Sequence, residues 1–304
     1  MSIERLIPFK AEYAGKPLHE LPDGASGCKS RTSEEALNEM VDGGVIITEA
    51  SDFMAGVPSM FGFPDTCNTT EFMKILNQMQ KGACAGFTMA QIAAINFWIA
   101  TGGETKQFSG DAMYVLAQER DGIKGDRGST PTACAWVAQN IGVVPLDSYG
   151  PTVKTYRELR PVTEEHRKAA EPYKLHTIVR LRSFDQMWKF QTAGLGAIQV
   201  CSLWKEHFMA KTIETFFGAK HNSQHGGGHS WTVGGFNKAM RALLGINSWD
   251  EAVHDEGAFL ALEQFWHELF QDKMSFVLGY SNMKLQASTP PGPREIPYKS
   301  SSWG

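Results

Sequence analysis

Asn77-Gln78-Met79-Gln80-Lys81-Gly82-Ala83-Cys84-Ala85-Gly86-Phe87 (NQMQKGACAGF) is the stretch on which the reading of this chain turns. At Cys84 a polar, glycine-containing segment gives way to AGFTMAQIAAINFWIATGG. Apolar residues lie on nearly every side of that run, which predicts a helix buried in the core and closed by Gly102-Gly103. A cysteine at its start has two readings. Cysteine outside disulfides is among the most buried residue types and packs as a small apolar side chain. A thiol at the positive end of a helix is also placed to ionise, the more so beside an imidazolium. The rest of the chain has to decide between them.

On the N-terminal side, EFMKILNQM carries apolar residues at 72, 75, 76 and 79 and predicts a short helix. SEEALNEMVD (33–42) predicts another, with Ser33 as N-cap and Glu34 and Glu35 in its first turn, and VIIT (45–48) a strand. On the C-terminal side, SGDAMYVLAQERDG, STPTACAWVAQNIG and EEHRKAAEPY predict helices, the second capped by Ser129 or Thr130 with Pro131 in its first turn. The period then changes. KLHTIVRL and GAIQVCSLW read as strands around a short helix SFDQMWKFQTAG, and HSWTVGGF and ALLGINSW as further β-leaning runs. EGAFLALEQFWHELFQDKMSFVLGY is mixed and ends strand-like, and QASTPPGPREIPYKSSSWG is an extended Pro/Ser-rich tail. Helices first and strands later predict an α+β protein with two subdomains. We expect an N-terminal extension over 1–60, the main domain over 61–285 and the tail over 286–304.

Composition narrows the function. Hydrophobic residues at 42% and charged ones at 20% fit a globular chain with a real core. A net charge of -4 with no Lys/Arg run leaves no footprint for a nucleic-acid partner. MSIERLIPFKAEYAGKPL lacks an apolar h-region, and no window approaches eighteen apolar residues. The expectation is therefore no membrane partner, and a cytoplasmic protein or part of an intracellularly made assembly. Five cysteines, Cys28, Cys67, Cys84, Cys134 and Cys201, are odd in number and scattered, which suits reduced thiols better than a disulfide framework.

A thiolate needs an imidazolium partner, and HNSQHGGGHSWTVGGF offers His221, His225 and His229. An apolar run follows His229, which places it at the mouth of a core strand, and Gly226, Gly227 and Gly228 let the backbone approach closely. Spacing by four would put the three histidines on one helix face as metal ligands, but three glycines disfavour a helix there, and no HExxH or CxxC supports zinc. No metal and no cofactor are expected. INSW supplies Asn247 to accept a ring N–H, with Trp249 beside it to exclude water. Gln78 can donate its amide to a developing oxyanion together with the Cys84 N–H. None of the glycine pairs has the residues of a phosphate loop.

Gln78, Cys84, His229 and Asn247, in that order, resemble the papain-like cysteine peptidases of the cathepsin type. The family's Gln, five residues, Cys, aromatic, small, Phe is matched at Gln78, Cys84, Gly86 and Phe87. Its Gly-His-(Ala/Ser) is matched by Gly228-His229-Ser230, and its Asn-Ser-Trp-Gly by Asn247-Ser248-Trp249, with Asp250 where Gly is usual. The likeness spans residues 62 to 282. It implies a helical subdomain around a central buried helix, a β-sheet or barrel subdomain, and a cleft between them. It also implies a Cys84–His229–Asn247 triad with Gln78 as oxyanion donor, acting on a peptide or protein substrate. Gly128 would lie on a strand that pairs with the substrate backbone, with Gly228 and Trp249 also at substrate-binding positions. Ala85 replaces the aromatic that usually follows the nucleophile, so packing beside the thiol is lighter. The competing reading is a catalytically silent papain-like fold in a larger assembly, contacting partners through residues 1–60 or 286–304. Retention of all four groups argues against it. A transglutaminase-type site usually wants an acidic third member, and Asn247 points away from that.

Overall fold

The computed structural model describes residues 32–55, 65–205, 208, 210–217, 228–251, 254 and 256–283. In chain order the helices and strands are α1 (Ser33–Asp42), β1 (Ile47–Glu49), α2 (Ala50–Met54), β2 (Thr66–Asn68), α3 (Cys84–Thr101), α4 (Gly110–Asp121), α5 (Pro131–Asn140), α6 (Leu146–Tyr149), α7 (Glu164–Ala170), β3 (Leu175–Leu181), α8 (Phe184–Thr192), β4 (Ala197–Leu203), β5 (Thr212–Ile213), β6 (Gly228–Asn237), β7 (Ala242–Ile246), β8 (Ala258–Leu262), α9 (Glu263–Leu269) and β9 (Phe276–Met283). The strands join one sheet in the order β1-β3-β9-β4-β6-β7-β8-β5, with β2 beside β6. Its pairs are antiparallel except β1–β3 and β5–β8. One apolar cluster joins α3, α4, α5 and α1 to one side of the sheet, and a second joins α2, α8 and α9 to the other. This is the α+β architecture expected, with a helical subdomain built around one buried helix.

That helix is α3. By length and composition it would pass for a membrane span, contrary to the expectation from apolar windows, but most of it is buried inside the protein. Small residues let it sink so deep. A Cβ on Gly86 would lie 2.7 Å from the Gly110 carbonyl oxygen and 2.8 Å from the Tyr114 nitrogen, so α3 and α4 meet backbone to backbone. The helix closes on Gly102 in the left-handed conformation, as the sequence suggested.

Several expectations are corrected. The run EFMKILNQM is not a helix: Thr69–Glu71 forms a single 3-10 turn, and the chain from there to Ala83 is irregular. Tertiary pairing overrides the local periodicity, because Asn77 forms an isolated antiparallel bridge with Trp249 and the Gln78 N–H is donated to the Ser248 carbonyl at 2.8 Å. The cap of α1 is Thr32, not Ser33: Thr32 Oγ1 accepts from the Glu35 N–H while Glu35 Oε2 accepts from the Thr32 N–H, a reciprocal capping box. Thr130, rather than Ser129, caps α5. Gly128 does not lie on a strand. It sits in the loop between α4 and α5, where its N–H is donated to the Tyr114 hydroxyl at 3.2 Å and its carbonyl accepts from Gln118 Nε2 at 2.9 Å. Within the segment read as an extension, residues 32–55 add α1, β1 and α2 to the fold, and β1 becomes an edge strand of the sheet. The 60/61 boundary, the tail 286–304, Cys28, His221 and His225 lie outside the described residues.

Candidate active site

Cys84 opens α3. The residue at the cap, Ala83, has no side-chain oxygen to accept from the first-turn N–H groups, so the positive end of the helix dipole is directed at the Cys84 region without a competing cap. Cys84 is 0% and His229 4% exposed, so both are screened from solvent, where electrostatic interactions are strong.

His229 is the second residue of β6, opposite Ser202 on β4. Its Nε2 lies 3.0 Å from Asn247 Oδ1. Because an amide oxygen can only accept, Nε2 carries the proton in this pair, which leaves Nδ1 as the ring atom for a second task. Trp249 stacks on the imidazole at 4.5 Å between centroids with 29° between planes, and Trp204 meets it edge-on at 4.9 Å. The ring therefore has one orientation, fixed by packing on two sides and a hydrogen bond on a third.

Asn247 follows β7 directly and is itself immobilised. Its N–H is donated to the Gly257 carbonyl at 3.0 Å, its carbonyl accepts from Gln91 Nε2 of α3 at 2.9 Å, and its Nδ2 faces His254 Nε2 at 3.1 Å. The next residue ties in Gln78: the Ser248 hydroxyl donates to Gln78 Oε1 at 2.7 Å. Gln78 Nε2 donates to the Lys81 carbonyl at 2.8 Å, which uses one of its two N–H groups. Asp250, in the place of the usual Gly, adopts a φ of 83°, a left-handed conformation that favours glycine. Its carboxylate accepts from Asn77 Nδ2 at 2.8 Å, so it braces the same pair of segments.

The helix and the histidine strand run side by side. Thr232 of β6 donates through its hydroxyl to Gln91 Oε1 of α3 at 2.9 Å, and a Cβ on Gly234 would come 2.7 Å from the tip of Ile95. Higher numbers on β6 thus meet higher numbers on α3, and the starts of the two elements, bearing His229 and Cys84, lie toward the same end. Gly228 begins β6 and pairs with Leu203.

The structure therefore brings His229, Asn247, Trp249 and Gln78 into one bonded network beside the start of α3. Gly128 is not bonded directly to those four; its N–H is donated to the Tyr114 hydroxyl, which donates to Asp126 Oδ1, the acceptor of the Gly82 N–H two residues before Cys84. Ser248, Trp204, His254 and Lys81 join the network without having been singled out in the sequence. Only Ser248 carried a signal, from its place inside Asn-Ser-Trp. The remaining described cysteines are poor nucleophiles: burial pushes the thiols of Cys67, Cys134 and Cys201 well up from their ordinary range.

No family profile and no curated protein sequence matches this chain. Its fold is nevertheless shared. The chain is similar to xylellain, a cysteine protease from Xylella fastidiosa, with 18% identity and a TM-score of 0.59 over 72% of this chain and 87% of that one. It is similar to procathepsin B S9 from Trypanosoma congolense, with 12% identity and a TM-score of 0.53 over 79% and 86% of the two chains. It is also similar to the proform of Amb a 11, a ragweed pollen cysteine protease, with 15% identity and a TM-score of 0.56 over 82% and 75%. The chain has the papain-like fold.

Proposed function

We propose that the protein is a papain-like cysteine peptidase whose nucleophile is Cys84, with His229 as its proton partner, Asn247 as the residue that orients the ring, and Gln78 as an oxyanion donor. The observation that carries this reading is the His229–Asn247 hydrogen bond, joined through Ser248 to the Gln78 amide. A histidine turned by an amide oxygen, with its other nitrogen directed elsewhere, is the arrangement a thiol nucleophile requires.

In this mechanism His229 holds the Cys84 proton as an imidazolium. The Sγ lone pair attacks the scissile carbonyl carbon, a C–S bond forms, and the carbonyl oxygen takes the negative charge. The second N–H of Gln78 and the Cys84 backbone N–H donate to that oxygen. His229 then gives its proton to the leaving amine as the C–N bond breaks. Water, deprotonated by His229, attacks the thioester carbonyl, and departure of sulfur releases the acid and restores the starting pair.

Gln78→Ala separates this role from simple packing. A donor that acts on the developing oxyanion should, when lost, lower kcat by about 10²- to 10³-fold with KM nearly unchanged. Steady-state kinetics on a fluorogenic peptide reads both constants. A rise in KM alone would assign Gln78 to ground-state binding instead. Asn247→Ala should slow turnover without ending it, because Asn247 exchanges no proton.

A further inference from the structure

Lys81 lies between the oxyanion donor and the nucleophile, and it is 0% exposed. Its carbonyl accepts from Gln78 Nε2. Its side chain runs the other way, into the helical layer. There Nζ lies 3.1 Å from Asp111 Oδ1 in the first turn of α4, off the hydrogen-bonding axis, and donates to the Val153 carbonyl. The Val153 N–H is donated in turn to Asp111 Oδ2 at 2.8 Å, which closes a ring of three residues. The ammonium also faces the ring of Phe87, in the first turn of α3, at 5.6 Å. The adjacent Gly82 N–H is donated to Asp126 Oδ1, the same oxygen that accepts from the Tyr114 hydroxyl.

Burial works against both charges, pushing Lys81 down and Asp111 up from their ordinary ranges. An apolar pair of equal volume would stabilise such a site about as well. What the ion pair supplies is direction, since an ammonium held between a carboxylate and a carbonyl fixes the chain from which it projects.

We propose that Lys81 is a positioning residue for the oxyanion donor: anchored on Asp111 and Val153, it fixes the carbonyl that holds the Gln78 amide in place. This rests on the roles given above to Cys84 and Gln78. It distinguishes two reactions of the same thiol. Amide hydrolysis develops an oxyanion. Alkylation by iodoacetamide displaces iodide at a saturated carbon and develops none.

The test compares wild type with Lys81→Met and with Lys81→Met/Asp111→Asn. The single variant leaves Asp111 buried without its cation and is at risk of misfolding. The double variant removes both charges and keeps an acceptor for Val153. In a folded variant kcat on a peptide should fall about 10- to 100-fold, with KM and the rate of Cys84 alkylation each within about threefold of wild type. Amide hydrogen exchange across residues 78–84 should be faster. Unchanged kcat and exchange would overturn the proposal. Alkylation falling in step with kcat would also overturn it, because it would show general loss of the site. If wild type cleaves no peptide, the peptidase reading fails by itself, and the exchange comparison still decides whether Lys81 holds the segment.

Discussion

Cys84→Ala should lower peptide turnover by on the order of 10⁴-fold or more while leaving a folded protein. The chemical half of this expectation follows from the nucleophile: alanine has no atom that can form the thioester, and the described cysteines that remain, Cys67 half-buried and Cys134 and Cys201 buried, are thiols pushed away from ionisation. The structural half follows from the position. Cys84 is flanked by Ala83 and Ala85 in a fully buried, small-residue turn of α3, and alanine is the best helix former. Removing one sulfur atom there should cost about 1 kcal/mol, near the lower end of core truncations. Kinetics and thermal melting on the same preparation check both halves. Wild-type turnover in the variant would remove Cys84 from the mechanism.

Gly196→Ala should lower stability by about 3 to 5 kcal/mol, or on the order of 10 °C in Tm. Gly196 immediately precedes β4 and has a φ of 147°, in the half of backbone space that L side chains rarely enter. A Cβ there would also stand 1.9 Å from the Tyr280 carbonyl oxygen and 2.7 Å from Asn96 Oδ1 of α3. The Tyr280 carbonyl, the nearer of the two, cannot yield easily, because Tyr280 is paired with Ala197 across β9 and β4. A shift of β4 would pass to β6, where Ser202 lies opposite His229, so activity should fall together with stability. Thermal unfolding of the variant measures the effect, and an unchanged Tm would show that this corner of the sheet is more plastic than its contacts indicate.

Local signals made much of the fold legible. The apolar run after Cys84, the Thr130-Pro131 start of α5 and the alternation of KLHTIVRL each carried a signal strong enough to survive tertiary context. EFMKILNQM did not, because its periodicity competed with pairing to a segment some 170 residues away, and no window of local sequence contains Trp249 and Ser248 alongside Gln78. The same reason hid part of the candidate site. His229, Asn247 and Gln78 stood in recognisable settings, whereas Lys81 is a lone lysine whose meaning comes from Asp111 and Val153, and Trp204 acquires its contact with His229 only when β4 and β6 pair. The strand expected at Gly128 fails in the opposite direction. Resemblance put it on a strand, but its backbone groups are taken up by Tyr114 and Gln118.

In the proposed mechanism Cys84 reacts as a thiolate sustained by His229. The most direct measurement is alkylation by iodoacetamide at pH 6, mapped residue by residue by mass spectrometry in the wild type and in His229→Ala. Cys84 should be modified well ahead of Cys67, Cys134 and Cys201 in the wild type, and His229→Ala should remove this preference while the chain remains folded. Modification of Cys84 no faster than of those three, or a preference that survives the loss of His229, would contradict this mechanism.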